Sequence, residues 1–119
     1  MAQAEDTLKT HITQMLETLH ASDIKITDPG GEDVACGEGR VKRTYRATAV
    51  EELGSGEPDI ILLAMIGALD RIAEYDAVGN TTDKSKREMK NDDHHTRITL
   101  ESPGERQIVI AGETYCLTP

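Results

Sequence analysis

The chain has 119 residues, of which 37 % are hydrophobic, and it contains neither Phe nor Trp. This length predicts one domain, residues 1–119, with a single aliphatic core. The 13 basic and 22 acidic residues give a net charge of −9, which argues against nucleic-acid binding and against docking on an anionic membrane surface.

The first predicted element is an amphipathic helix over residues 5–20, because apolar side chains recur there at helical spacing. Residues 24–28 alternate between apolar and polar side chains, which predicts a short strand. A loop rich in glycine and acidic residues is expected at residues 29–39. Because loops of this length usually have a structural or functional reason, Cys36 is a candidate anchor within it.

Residues 40–50 show the most regular alternation in the chain and predict a strand. Tyr45, Ala47 and Ala49 share the face that is expected to point inward. An acidic link, residues 51–57, is expected to follow this strand.

A second helix is predicted over residues 58–75. Pro58 suits its first turn because no amide partner is needed there, and Asp59 places a carboxylate at the positive end of the helix dipole. Apolar side chains surround the first half of this helix almost completely, so burial is expected, with contact to a partner as the alternative. One face is expected to comprise Ile60, Leu63, Ile66, Leu69 and Ile72, and the other apolar side chains are Ile61, Leu62 and Met65.

The remainder of the chain begins with a polar stretch, residues 76–94, in which a strand near residues 77–83 is possible. Residues 96–101 and 107–111 then form two alternating or apolar runs joined by a Ser-Pro-Gly-Glu turn, which predicts a hairpin. The element order α-β-β-α-β-β predicts an α+β fold, a two-layer sandwich. Its mainly antiparallel sheet would have four to five strands and carry two helices on one face.

The two cysteines, Cys36 and Cys116, are the most informative residues. Their even number fits one disulfide, and neither lies in a Cys-x-x-Cys motif or in a set of zinc ligands. A disulfide would indicate an oxidising compartment. Residues 1–6 lack the basic start and apolar run of a signal peptide. The chain therefore either begins after a removed export segment or belongs to a cytoplasmic protein with two unrelated thiols.

No catalytic, cofactor-binding or metal-ligating residue is predicted, and the protein is not expected to be an enzyme. The run Asp92, Asp93, His94 and His95 has metal-ligating side chains but no third spaced ligand, so a solvated loop is the preferred interpretation. A small hydrolase or metal-dependent enzyme that uses His94 and His95 remains a third, less favoured hypothesis.

One resemblance covers nearly the whole chain. The leading helix, the loop with Cys36, the basic strand at residues 40–45 and the terminal segment Thr114-Tyr115-Cys116 resemble the small extracytoplasmic lipoproteins of actinobacteria, many of which have no known function. Their mature domains often finish in a Thr-x-Cys segment that is cross-linked to an earlier cysteine. The resemblance implies an extracytoplasmic or cell-surface location, allows a lipid anchor upstream of residue 1, and implies no catalytic residues.

Two main hypotheses for function follow. The first is a non-enzymatic, extracytoplasmic, envelope-associated binding domain with a Cys36–Cys116 disulfide and an unknown protein or small-molecule partner. The second is an acidic immunity-type or inhibitor protein that captures a basic effector protein. Its predicted contact surface consists of Glu51, Glu52, Glu57 and Asp59.

Overall fold

The computed structural model describes residues 1–52, 56–79 and 83–119, which contain two helices and eight strands. In chain order the elements are α1 (Ala2–Thr18), β1 (Ser22–Asp28), β2 (Val34–Gly37), β3 (Arg40–Lys42), β4 (Thr44–Val50), α2 (Pro58–Ile72), β5 (Asp76–Ala77), β6 (Lys86–Asn91), β7 (Thr96–Glu101) and β8 (Gln107–Thr114). Six strands form one antiparallel sheet in the order β1-β4-β8-β7-β6-β5, while β2 and β3 form a separate hairpin.

The predicted α+β class is confirmed, and both helices contribute to a single core on one face of the sheet. The sheet is larger than the predicted four to five strands. The loop expected at residues 29–39 contains β2, and the polar stretch, residues 76–94, contains β6. In β6 only Met89 and Asn91 are buried, so its sequence lacks the apolar alternation that identifies a strand.

Two sequence predictions fall partly on residues outside this description. The acidic link includes residues 53–55, and the strand considered near residues 77–83 includes residues 80–82. The described part of that second segment contains the end of β5, which pairs with β6.

The first half of the second helix is buried on one side only. Burial was expected there for apolar side chains almost all round the helix, but Ile60 and Leu63 are 46 % and 65 % exposed. Because apolar side chains surround this part of α2, periodicity could not decide which side would pack against α1 and β7. The buried residues are Ile61, Leu62, Met65, Ala68 and Leu69.

Strand β8 lies in the interior of the sheet, and its Gly112 lies directly under α1. A Cβ atom at this position would be 2.6 Å from Leu8 Cδ1 and 2.9 Å from Ile12 Cδ1. Both side chains are 0 % exposed. The missing side chain therefore lets α1 approach the sheet closely, which brings the first residues of α1 near the end of β8.

Candidate functional site

The predicted disulfide is confirmed. Cys36 in β2 is bonded to Cys116 in the terminal segment, with 5.9 Å between their Cα atoms and a sequence separation of 80. Beside it, Val41 and Leu117 exchange two backbone hydrogen bonds, each 2.8 Å long. The terminal segment is thus attached to the β2–β3 hairpin both covalently and by strand-like pairing.

Polar contacts extend this attachment toward the main sheet. The backbone N–H of Arg43 donates to Thr114 Oγ1 at 2.9 Å, and Thr114 N–H donates to the Arg43 carbonyl at 2.8 Å. Lys42 Nζ lies 2.8 Å from Glu113 Oε2. The Arg43 guanidinium also bonds Glu5 of α1 at 3.1 Å. The hairpin, the tail, β8 and α1 are therefore held by one connected set of interactions.

The face of the sheet that the helices leave uncovered contains a cleft of about 250 Å³. The small side chains of Ala111 in β8 and Thr99 in β7 form its centre. Ala111 pairs with Arg46 of β4 on one side and with Thr99 on the other. The polar and charged residues around it include Asp28, Thr44, Arg46, Glu88, Arg97, Thr99 and Glu113. The alternation of strand side chains places the two arginines on opposite sides of this small-residue floor.

The arginines differ in their contacts. Arg97 lies 3.4 Å from Glu88, and its guanidinium carbon is 5.9 Å from the Tyr115 ring centroid. Arg46 Nη1 donates to Thr27 Oγ1 at 3.2 Å. No carboxylate lies within ion-pair distance of Arg46 in residues 1–52, 56–79 and 83–119. Arg46 therefore has guanidinium donors that an anionic group could use.

The disulfide borders this cleft. Arg97 and Glu113 line both the cleft and an adjoining pocket of about 290 Å³ that contains Cys36 and Cys116. Tyr115, in the same tail, donates its hydroxyl to Asp92 at 2.6 Å. Burial is the larger cause and this hydrogen bond to a carboxylate the second, and together they raise the pKa of Tyr115 to about 12. Its hydroxyl thus stays protonated and keeps the tail attached to the β6–β7 turn.

A second polar cluster lies under α1. His11 is 8 % exposed, and its Nδ1 is 2.8 Å from the Tyr75 hydroxyl, which is 2.6 Å from Thr96 Oγ1. The ring of His94 packs edge-on against His11 with 5.5 Å between centroids. Burial, and then the charge of His94, lower the pKa of His11. Sequence reasoning missed this cluster because only the fold brings the β6–β7 turn against α1.

The histidine pair in the β6–β7 turn contacts other groups of the protein. His94 N–H donates to Asn91 Oδ1 at 2.9 Å, and the His95 ring packs against Tyr115. Within the described ranges, no group of three or more His, Cys, Asp or Glu side chains is arranged to hold a metal ion. The turn instead serves to connect α1, β7 and the tail.

The buried histidine makes stability depend on pH. Because the folded pKa of His11 lies below its value in the unfolded chain, about 6.5, the unfolded state takes up the proton first. We therefore expect the free energy of unfolding to fall as the pH decreases through about 6.5. His11→Gln should reduce this pH dependence, and His20→Gln, at an exposed position just after the same helix, should not. Urea unfolding of the three proteins at several pH values measures this, and parallel curves for wild type and His11→Gln would contradict it.

The predicted acidic surface is only partly exposed. Glu51 is 7 % exposed and therefore does not belong to an exposed surface. It directly follows β4, and its backbone N–H donates to the Arg106 carbonyl. Glu52, Glu57 and Asp59 are exposed. Glu52 accepts a hydrogen bond from the hydroxyl of Ser22.

Comparison with protein-family models, with curated proteins and with solved structures found no match for this chain. Neither helix in the described part of the chain combines the length and the apolar character needed to cross a membrane.

Proposed function

We propose that this chain is a non-catalytic binding domain of an oxidising, extracytoplasmic and envelope-associated environment, and that it binds its ligand in the cleft on the uncovered face of the sheet. The observation that carries the proposal is that the tail fixed by the Cys36–Cys116 disulfide lines a pocket that adjoins this cleft and shares Arg97 and Glu113 with it. Disulfides persist in oxidising compartments. The likeness to small actinobacterial lipoproteins is part of the proposal and is supported by the disulfide alone.

The cleft contains the carboxylates of Asp28, Glu88 and Glu113 beside its two arginines, so it is Arg46 that favours an anionic or carbonyl oxygen of a ligand. Arg46 has guanidinium donors without a carboxylate partner, as described above. The Nε atom of Arg97 is buried and has no hydrogen-bond acceptor among the described residues, so a bound oxygen would satisfy a costly buried donor. The volume of about 250 Å³ is smaller than most drug-sized sites. We therefore expect the cleft to hold one charged group of a ligand rather than all of it.

The compartment can be tested in cells of the source organism. Thiols are trapped with acid, alkylated in denaturant, and counted before and after reduction. We expect neither Cys36 nor Cys116 to be alkylated before reduction, because both are oxidised in an exported protein. Two alkylated cysteines in freshly trapped protein would contradict the extracytoplasmic assignment.

The ligand site can be tested with defined probes. We expect succinate and inorganic phosphate, but not the neutral sugar trehalose, to shift the amide NMR signals of Thr99 and Ala111. Arg46→Gln should weaken this response, because it removes the guanidinium without a carboxylate partner, whereas Arg71→Gln, which changes an exposed arginine of α2, should not. Shifts confined to other residues, or a full response in Arg46→Gln, would contradict the assignment of the cleft.

A second candidate function is the acidic inhibitor that captures a basic effector. It is favoured by the exposure of Ile60 and Leu63 immediately beside Glu57 and Asp59 at the start of α2, because apolar residues rimmed by charge are typical of protein interfaces. Salt-sensitive binding of a basic probe protein, cytochrome c, should be weakened by Asp59→Asn combined with Leu63→Ser. Unchanged binding in that double variant would remove support for this candidate.

A further inference from the structure

Strand β1 forms one edge of the six-stranded sheet, and β4 is its only partner strand among residues 1–52, 56–79 and 83–119. Its interior residues are all exposed. Two of them, Ile24 and Ile26, are large apolar side chains with 48 % and 43 % exposure. Because they are two positions apart in a strand, they point to the same side. An edge strand with exposed apolar side chains is a template on which another strand can pair.

The isoleucines line a groove between β1 and the end of α1. The groove has a volume of about 420 Å³, larger than the cleft on the uncovered face. Leu16, Ala21, Ile24 and Ile26 contribute apolar surface to it. The groove therefore offers space for apolar side chains directly beside backbone groups at the edge of the sheet.

The charges around the groove are mainly negative. Glu17 lines it, and Asp23 of β1 lines a pocket on the opposite face of the sheet. These carboxylates add to a net charge of −9 for the whole chain, which attracts a cationic partner.

We propose that the groove and the free edge of β1 bind an extended, cationic peptide segment of another protein. Its apolar side chains at alternate positions would enter the groove beside Ile24 and Ile26, while its Lys or Arg side chains, on the opposite face of the sheet, would lie near Asp23. This mode combines backbone pairing at a sheet edge with side-chain pockets of alternating position. The proposal concerns a surface separate from the cleft and does not depend on it.

A second copy of this chain fits the groove less well. Two copies that each carry a charge of −9 repel one another. Antiparallel self-pairing that sets Ile24 opposite Ile26 of the second copy also sets Lys25 opposite Lys25 of that copy, and like charges directly opposite each other are destabilising. A cationic partner is instead attracted by the net charge of the chain.

The geometry of β1 also limits the length of the partner. The pairing of β1 with β4 has register shifts on both sides of Lys25 and Ile26, and such irregularities shorten the regular edge that another strand can use. The contact is therefore expected to involve only a few residues of the partner, with apolar groove contacts supplying much of its affinity.

The test uses three synthetic peptides and the intact oxidised protein labelled with ¹⁵N. The first peptide alternates lysine and valine over six residues with both ends blocked. The second replaces the lysines by aspartate, and the third replaces one central lysine by proline, which removes a backbone donor. We expect only the first to bind measurably, with amide shifts centred on Ile24, Ile26 and Ala21.

Two variants localise the binding. Ile24→Thr with Ile26→Thr retains β-forming side chains but removes apolar area, and it should weaken binding of the lysine–valine peptide by about tenfold. Val34→Thr makes the same kind of change at an exposed apolar residue of β2 and should leave the affinity unchanged. Equal binding of the aspartate or proline peptide, unchanged affinity in the β1 variant, shifts confined to other surfaces, or a concentration-dependent dimer that blocks the peptide would each overturn the proposal.

Discussion

Replacing Cys36 and Cys116 together by serine is expected to lower the free energy of unfolding by about 4–5 kcal/mol. The bond closes a loop with a sequence separation of 80, and in the chain-entropy model a loop of this size restricts the unfolded ensemble by about that amount. Because small domains are commonly stable by only about 5–15 kcal/mol, this loss would leave a fraction of the molecules unfolded at physiological temperature.

Urea unfolding of the oxidised wild type, the reduced wild type and the double serine variant measures this effect. The reduced wild type should resemble the serine variant, and a reductant should not change the variant further. A melting temperature lower by about 15–20 °C is expected in both cases. If the serine variant unfolds within about 1 kcal/mol of the oxidised wild type, the hydrogen-bonded pair of Val41 and Leu117 is sufficient to hold the tail.

Gly112→Val is expected to destabilise the protein by about 3 kcal/mol, and Gly112→Ala by about 1 kcal/mol. A new Cβ would lie 2.6 Å from Leu8 Cδ1, and both Leu8 and Ile12 are fully buried. These side chains can move only by displacing α1 from the sheet. The gain in strand propensity that valine brings is too small to offset this crowding.

Gly67→Ala provides the matched control for the same kind of substitution. Gly67 lies inside α2, and a Cβ there would have no atom within 4 Å among the described residues. Alanine is favoured over glycine in a helix interior by up to about 1 kcal/mol, so this variant should be more stable than wild type. Chemical denaturation of the three variants decides the matter, and equal effects at the two glycines would show that packing under α1 does not distinguish them.

The disulfide and Gly112 act on the same part of the molecule. Gly112 sets how closely α1 approaches β8, and the tail after β8 carries Cys116 to the hairpin. Glu113, the residue between these two features, lines the cleft and pairs with Lys42. Loosening either feature should therefore alter the response of Thr99 and Ala111 to anionic probes as well as the stability.

Much of the secondary structure could be predicted from local patterns. The stripe of α1 and the alternation in β4 repeat at the period of the structure that they form. The hairpin is recognised instead by the turn-forming residues Ser-Pro-Gly-Glu. Strand β6 could not be recognised in this way, because it has one buried apolar residue, Met89. The same holds for β2, whose residues are all exposed and which is defined by its pairing with β3.

The candidate sites were far less accessible to sequence reasoning. Arg46, Ala111 and Arg97 come from three different strands, so only the sheet register shows that they share a cleft. The contact of His11 with Tyr75 and His94 likewise joins distant parts of the chain. The acidic surface was predicted from charge alone, and charge does not report that Glu51 turns inward at the end of β4.

By itself, the amino-acid sequence determined the α+β class, the positions of both helices and the sulfur pair that closes the domain, because local periodicity and the count of two cysteines are sufficient for these. The tertiary structure alone decided which face of α2 is buried, which strand forms the edge next to the groove, and which charges surround the cleft. These properties depend on contacts between residues that are distant in the chain, and such contacts leave no periodic trace in the residues that make them.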